Sequence, residues 1–542
     1  MDRWKALIVL GTAQFLMVLD ASVMNVSISQ LVEDFDTEVT AIQAVITLYT
    51  LVMAAFMLTG GKIGDMFGRR RTFIAGLMVY AVGSGLTAVA PTVWVLALGW
   101  SVIEGLGAAL VLPALAALVA GAYRDRERAI AYGVIGGLAG AGIAVGPLLG
   151  GWVTTYLTWR LVFAGEVVLV VAILCLHRWI PIGGPRRQRV QLDVLGAVLS
   201  AAGLAVIVLA VLQSGTWGWV EPRNPPFTVL GFAPTLFAVA LGGVLLWLFV
   251  LQERRREADG RTPLVRLRLF GIAELRSGLA TLFNQNTILL GLFFVIPLYL
   301  QVVQGLDAFE TGVKLLPVSV TMLAASMSGT LLLRVASPRT IVRVGLAVLF
   351  GSAIWLLTTI KPELAGVSFA LAMATMGLGM GLLASQLGNV VQSSVAEEDR
   401  GEAGGLQFTA QNLGSSLGTA LIGAILIGAL ASAFTNNIAD DPRVSDAVRQ
   451  QAGIQIEAGI SFVPSDQVAA ALAQSPVPPE EAAAVVEHYE DAQIDGLKAA
   501  VLAAGGLTLA GFLFTGHLPA GVPARRARPS GPSGTRLNTP GT

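Results

Sequence analysis

The sequence predicts an all-α polytopic membrane protein with about fourteen spanning helices. Two observations predict it. Of the 542 residues, 54% are hydrophobic and only 13% are charged, roughly half the charged share of a soluble domain. The charges also cluster, leaving apolar runs of roughly 20 residues, the length that crosses about 30 Å of hydrocarbon at 1.5 Å per residue. Glycines recur inside these runs, as close helix packing in lipid requires.

Taken in order, spans are expected near 6–28, 43–63, 72–90, 93–116, 129–152, 161–180, 193–212, 229–251, 277–300, 312–333, 341–360, 368–392, 403–431 and 496–515. The first run has no convincing signal-peptidase site and is read as a retained helix. An even number of spans puts both termini on one side. Basic residues choose the side: Lys62 and Arg69–Arg71 in loop 2–3, Arg124, Arg126 and Arg128 in loop 4–5, Arg254–Arg256 in loop 8–9, and Arg334, Arg339 and Arg343 in loop 10–11. Loop 1–2 is acidic, with Glu33, Asp34, Asp36 and Glu38. The positive-inside rule therefore places both termini in the cytoplasm. Arginines spread over short loops, with zero formal net charge, argue against a nucleic-acid partner.

Cys175 is the only cysteine, which excludes an intramolecular disulfide and a cysteine metal cluster, and His177, His488 and His517 lie far apart. No metal and no cofactor is expected. The phosphate-binding pattern Gly-x-x-x-x-Gly-Lys-Ser/Thr is absent from the chain, so ATP is not its direct energy source. No nucleophile–base pair marks the spans, and an enzyme is not expected.

A faint internal repeat suggests the division into domains. "GKIGDMFGRRRTFIAG" from Gly61 and "GTLLLRVASPRTIVRVG" from Gly329 both run from glycine through basic residues to glycine. Spans 9–14 then repeat spans 1–6. The expected units are a six-helix bundle at 1–180, two inserted helices at 181–260, a second bundle at 261–519 and a disordered cytoplasmic tail at 520–542. Paired halves with a site between them are the general plan of secondary transporters. Residues 432–495 lie outside. They carry two helix-like pieces, one beginning at a Ser465 N-cap and one running into the last span, separated by Pro476, Pro478 and Pro479. This region is either a solvated elaboration or a lid over an exit route.

Two motifs carry the functional signal. In loop 2–3, Gly61, Gly64 and Gly68 permit tight turns, and Asp65 stands beside Arg69 and Arg70. In span 5, Gly142, Gly146, Gly150 and Gly151 leave a face almost without side chains, and Pro147 removes a helix hydrogen bond. The first motif resembles the loop 2–3 signature of the major facilitator superfamily, and Gly-Pro-x-x-Gly-Gly resembles its antiporter signature. With "LDASVMNVSI", "TWRLVFAGE", "TWGW" and "GGLQFTAQNLGSSLGTAL", the chain is similar to the fourteen-span drug:proton antiporter branch over residues 1–431. The resemblance implies a major facilitator fold in a bacterial cytoplasmic membrane, working as a monomer, with small molecules, protons and the bilayer as partners. It also departs from the branch. Ser101 stands where an arginine is usual, and Glu104 and Glu166 replace a glutamine and an asparagine.

Three acids follow as proton-coupling candidates. Asp20 lies about 21 Å from the cytoplasmic edge, Glu104 about 16 Å in, and Glu166 roughly 8 Å inside the outer edge. Glu166 is shallow enough to be a merely hydrated group. An ionised acid at mid-membrane costs about 2.5–3.5 kcal/mol, so its presence calls for a return. An acid that takes a proton on one side and releases it on the other, in competition with cargo, supplies one. Asn25, Asn284, Asn286, Gln386 and Gln411 are candidates for lining a substrate cavity. In the family plan Asp65 meets the start of span 13 near Gly401–Gly405 and latches the outward-facing state. The expected function is proton-coupled export of amphipathic drugs by alternating access. The alternative is a dedicated exporter of a lipid, siderophore or secondary metabolite on the same fold.

Overall fold

A computed structural model describes residues 2–123, 125–180, 192–396, 399–446, 448–449, 462–475 and 477–521. The expected tail from 520 lies almost wholly outside them. Fourteen long helices occupy the fourteen expected positions. They are α1 (Asp2–Val26), α2 (Val39–Phe67), α3 (Arg69–Ala88), α4 (Val93–Leu96, Ala97–Glu104 and Gly105–Ala122), α5 (Asp125–Tyr156), α6 (Arg160–Cys175) and α7 (Val194–Trp217). Then come α8 (Pro234–Ala258), α9 (Ala273–Leu298, continued by Tyr299–Val303), α10 (Ala308–Met327), α11 (Pro338–Thr359), α12 (Gly366–Ser393), α13 (Arg400–Asp440) and α14 (Pro479–Phe514). Eleven of them are long and apolar enough to cross a membrane by length and composition alone; α3, α5 and α6 complete the set by position.

Local sequence sets the boundaries. Thr92, Asp193 and Ser337 cap α4, α7 and α11 through their side chains, and Asp307 with Glu310 forms a reciprocal capping box at α10. Gly68, at φ +98°, makes the turn between α2 and α3, a conformation costly for any residue with a Cβ. Two expectations change. The helix Ser465–Ala473 begins at Ser465 itself, with Pro464 in the capping position and no side-chain cap bond, because proline already fixes the entry angle. Gly61 and Gly64, expected in tight turns, lie inside α2, which runs unbroken to Phe67; the piece expected to run into the last span does so, as one helix from Pro479 with an acidic first turn.

The two glycine-flanked loops tie their arginines to neighbouring helices. Arg69 donates to the Ala117 carbonyl in α4 at 3.1 Å, and Arg70 to the His177 carbonyl beyond α6 at 2.9 Å. In the second half, Arg339 donates to the Leu518 carbonyl at 2.8 Å and Arg343 to Thr515 Oγ1 at 2.9 Å, both beyond α14. Arg70, Arg339 and Arg343 are thus tied to the chain just beyond a helix C-terminus, where the helix dipole favours cations, while Arg69 reaches α4. The inserted helices α7 and α8 pack on each other, and α7 also packs against α2 and α13.

Among the described residues, the hydrogen bonds that join the two halves lie away from the arginine-rich end. Gln301 donates to the Val26 carbonyl at 2.8 Å and accepts from the Ser29 amide; the Phe309 amide donates to Thr155 Oγ1. Gln43 donates to the Thr419 carbonyl at 2.8 Å and Ser416 to the Thr47 carbonyl at 3.0 Å. Outside this seal, an open cavity of about 600 Å³ is lined by Asn437, Asp441, His488, Asp491, Asp495 and Lys498. Asp441 pairs there with Arg443 at 2.7 Å and His488 at 2.6 Å. The Arg443 guanidinium holds the Asp441 carboxyl below its usual range, with His488 assisting.

Candidate functional site: a buried carboxylate cluster

The three expected acids meet inside the first bundle. Asp20 on α1, Glu104 on α4 and Glu166 on α6 each offer a carboxylate oxygen, and these oxygens lie within 4.8 Å of one another. Their residues are 1%, 0% and 1% exposed. The hydrated reading of Glu166 is therefore incorrect. Rise per residue measured its depth but not its cover, and Trp159 and Phe163, both fully buried in an edge-on pair, pack at that end of α6.

Asp20 and Glu104 are placed by different local devices. Asp20 rides on α1, which fits a stripe of small residues on α5. A Cβ on Gly142 would stand 3.1 Å from Val18, one on Gly150 2.8 Å from Val23, and one on Gly146 would overlap Ser22. The antiporter-like motif thus sets the position of the helix that carries the first acid. Gly151, one residue on, faces the other half, where a Cβ would overlap the Ala308 carbonyl of α10. Pro147 presents its carbonyl to Gly312 in the same seam.

Glu104 ends a π-helical stretch, Ala97–Glu104, inside α4. One wide turn of this kind displaces the side chains after it and is common at functional sites. It is held against α3 through glycines: a Cβ on Gly83 would stand 2.5 Å from the Glu104 amide, and one on Gly107 2.5 Å from the Tyr80 amide. Ser101, in the place of the usual arginine, is fully buried and donates to the Val45 carbonyl at 2.7 Å. No cation enters the cluster from that position.

The donors around the acids come from residues that the sequence did not single out. Trp100 Nε1 donates to both oxygens of Asp20, at 2.9 and 3.1 Å, and its ring stacks on Tyr49 at 4.6 Å. Ser84 donates to Glu166 Oε2 at 2.7 Å and Tyr80 to the same oxygen at 3.3 Å. Among the described residues no side chain reaches either oxygen of Glu104 in hydrogen-bond geometry, although Tyr80 and Glu166 stand beside it. An aromatic or a serine in an apolar span reads as core or helix glue, so only the presence of the nearby acids distinguishes these.

The remaining candidates are dispersed. Asp65 pairs with Arg69 at 3.6 Å. The start of α13 is engaged elsewhere, with Arg266 on Asp399 at 2.6 Å and on Glu402 at 3.5 Å. Gln386 is fully buried and donates to Ser385 Oγ and the Gly329 carbonyl, and Asn284 faces Gly511 of α14. Both lie between helices of the second half. Asn25 and Asn286 return hydrogen bonds to their own helices, at the Ala21 and Leu282 carbonyls, and Gln411 is half-buried. Buried polar side chains that the sequence did not assign, Gln43 and Gln301, hold the seal between the halves.

Comparison with known proteins agrees with this architecture. A puromycin resistance protein of Streptomyces alboniger is 33% identical over 79% of this chain and 83% of its own length. A tetracenomycin C resistance and export protein of Streptomyces glaucescens is 27% identical over 93% and 90%. A cephamycin export protein of Amycolatopsis lactamdurans is 31% identical over 77% and 84%. Among solved structures, a bacterial homologue of the human lysosomal transporter Spinster superposes with a TM-score of 0.59 at 14% identity, covering 95% of this chain and 98% of that one. The model of the Major Facilitator Superfamily matches residues 10–419. The chain belongs to the Major Facilitator Superfamily and is a multi-pass membrane transporter.

Proposed function

We propose that the protein exports amphipathic drug-like molecules, antibiotics among them, across a bacterial cytoplasmic membrane in exchange for protons. The observation that carries the reading is the sealed cluster of Asp20, Glu104 and Glu166, with no basic side chain among the described residues placed beside it. Three buried acids so close together are costly unless they change charge during the cycle. The export and resistance roles printed for the relatives supply the direction and the class of cargo. The two six-helix halves, 1–180 and 261–519, rock about a site between them, and the termini lie in the cytoplasm.

The cluster stands inside the first bundle, on α1, α4 and α6, rather than in the seam between halves. Coupling then runs through the helices that carry the acids: α1 packs on the glycine face of α5, and the same α5 closes on α10 through Gly151. Dye export into the lumen of inverted vesicles under an imposed pH gradient tests the reading. Wild type drives export, and Asp20→Asn and Glu166→Gln both weaken it. Undiminished gradient-driven export in both variants removes the mechanism.

The structure is sealed on the outer side, and Asp65 is bound to its own arginine. This fits a latch between Asp65 and the start of α13 that exists in the outward-facing state alone. A cross-link joining Asp65→Cys to Ala403→Cys is expected to arrest transport, and transport at wild-type speed with the link closed refutes the latch.

A further inference from the structure

The carboxyls of the cluster are not equally provided with donors. Asp20 receives the Trp100 indole on both oxygens, and Glu166 receives Ser84 and Tyr80 on Oε2. Glu104 has no donor to either oxygen, although it is fully buried. Among the described residues, the other titratable side chains facing the group are Tyr49 from α2 and Tyr80 from α3. Residues 133–147 of α5, the helix that packs on α1, include no charged residue. Asp20 and Glu166 thus each have polar hydrogens to hold a negative charge. Glu104 has no donor in hydrogen-bond geometry, and the other two carboxyls stand beside it.

We infer that the three acids act as one unit that exchanges two protons per transport cycle, with Glu104 keeping a third proton and lending it as a hydrogen bond. The inference rests on the proton-antiport reading above. In the unloaded form, Asp20 and Glu166 are carboxylates and Glu104 is a carboxylic acid donating to one of them, for a cluster charge of −2. Two protons entering from one side form O–H bonds on Asp20 and Glu166, and the charge becomes zero. Both O–H bonds break on the other side and the carboxylates return, so protons and charge balance over the cycle. Glu104 is a positioning residue: a neutral hydrogen-bearing group between two anions, which otherwise repel at this distance. The stoichiometry has a consequence for cargo. Two protons against a neutral molecule move two charges, and against a monocation one, so the membrane potential drives export of both classes.

Infrared difference spectroscopy of the full-length protein in lipid, between alkaline and mildly acid buffer, tests this without knowledge of the cargo. Two protonated-carboxyl C=O bands are expected to appear on acidification. Asp20→Asn removes one band, Glu166→Gln removes the other, and Glu104→Gln removes neither. A single band, or loss of a pH-dependent band in Glu104→Gln, overturns the inference. Ethidium efflux from proteoliposomes gives a second arm: under a membrane potential alone, with no pH gradient, accumulation follows a two-proton cycle, and its absence while a pH gradient does drive efflux contradicts it. Two bands without any proton-driven efflux instead refute the antiport reading and leave the proton count standing.

Discussion

Asp20→Asn is expected to reduce gradient-driven efflux to the level of empty vesicles while leaving the protein folded and able to exchange cargo for cargo. Asparagine has the shape of aspartate and keeps an oxygen for the Trp100 indole, which donates to Asp20 at 2.9 Å. The packing of α1 on α5 involves Val18, Ser22 and Val23, not Asp20. The change therefore removes one exchangeable proton and little else. Exchange of labelled for unlabelled cargo needs alternating access but no net proton movement, so it separates loss of coupling from loss of structure. Trp100→Phe gives a graded companion: a hydrogen bond to a charged group contributes about 1.5–3 kcal/mol, and coupled efflux is expected to fall roughly tenfold or more. Efflux by Asp20→Asn at wild-type rate, or equal loss of exchange and efflux, contradicts the role given to this carboxylate.

The fold was legible because the length and apolar composition of a run act locally. A run of some 20 apolar residues has few alternatives in a membrane, and arginine placement orders the loops. The site was legible only in part. Asp20 is conspicuous as an acid in an apolar run, and Glu104 and Glu166 as acids in place of amides. Their meeting was not, because it depends on the π turn at Ala97–Glu104 and on backbone contact between α3 and α4 through Gly83 and Gly107. Neither device has a signature in composition. Depth along a helix was readable for Glu166; rotation about the helix, and hence burial, was not. The amides show the same limit. Asn284 and Gln386 resemble cavity residues in sequence, and the structure turns them toward helices of their own half. Gln43 and Gln301 looked no different and span the two halves.

Gly151→Val is expected to abolish coupled export by a different route, through the seam between α5 and α10. A Cβ at this position overlaps the Ala308 carbonyl and reaches the Phe309 Cα. These are backbone atoms and cannot turn aside as a side chain can. Overpacking of this kind costs about 1–3 kcal/mol, and the cost falls only on the state in which the two halves touch here. About 2 kcal/mol on one of two states changes their ratio roughly thirtyfold. The variant should rest with its outer side open. In a Cys175→Ser background, a cysteine at Asn286→Cys is then labelled faster by a membrane-impermeant maleimide added outside, and gradient-driven efflux falls to background. Gly243→Ala on α8 is the control, since a Cβ there meets nothing within 4 Å. Unchanged labelling together with unchanged efflux in Gly151→Val means that the seam does not close in the working cycle. The small face at Gly151 is then packing alone, and the path from the acid cluster to the second half must run elsewhere than through α5.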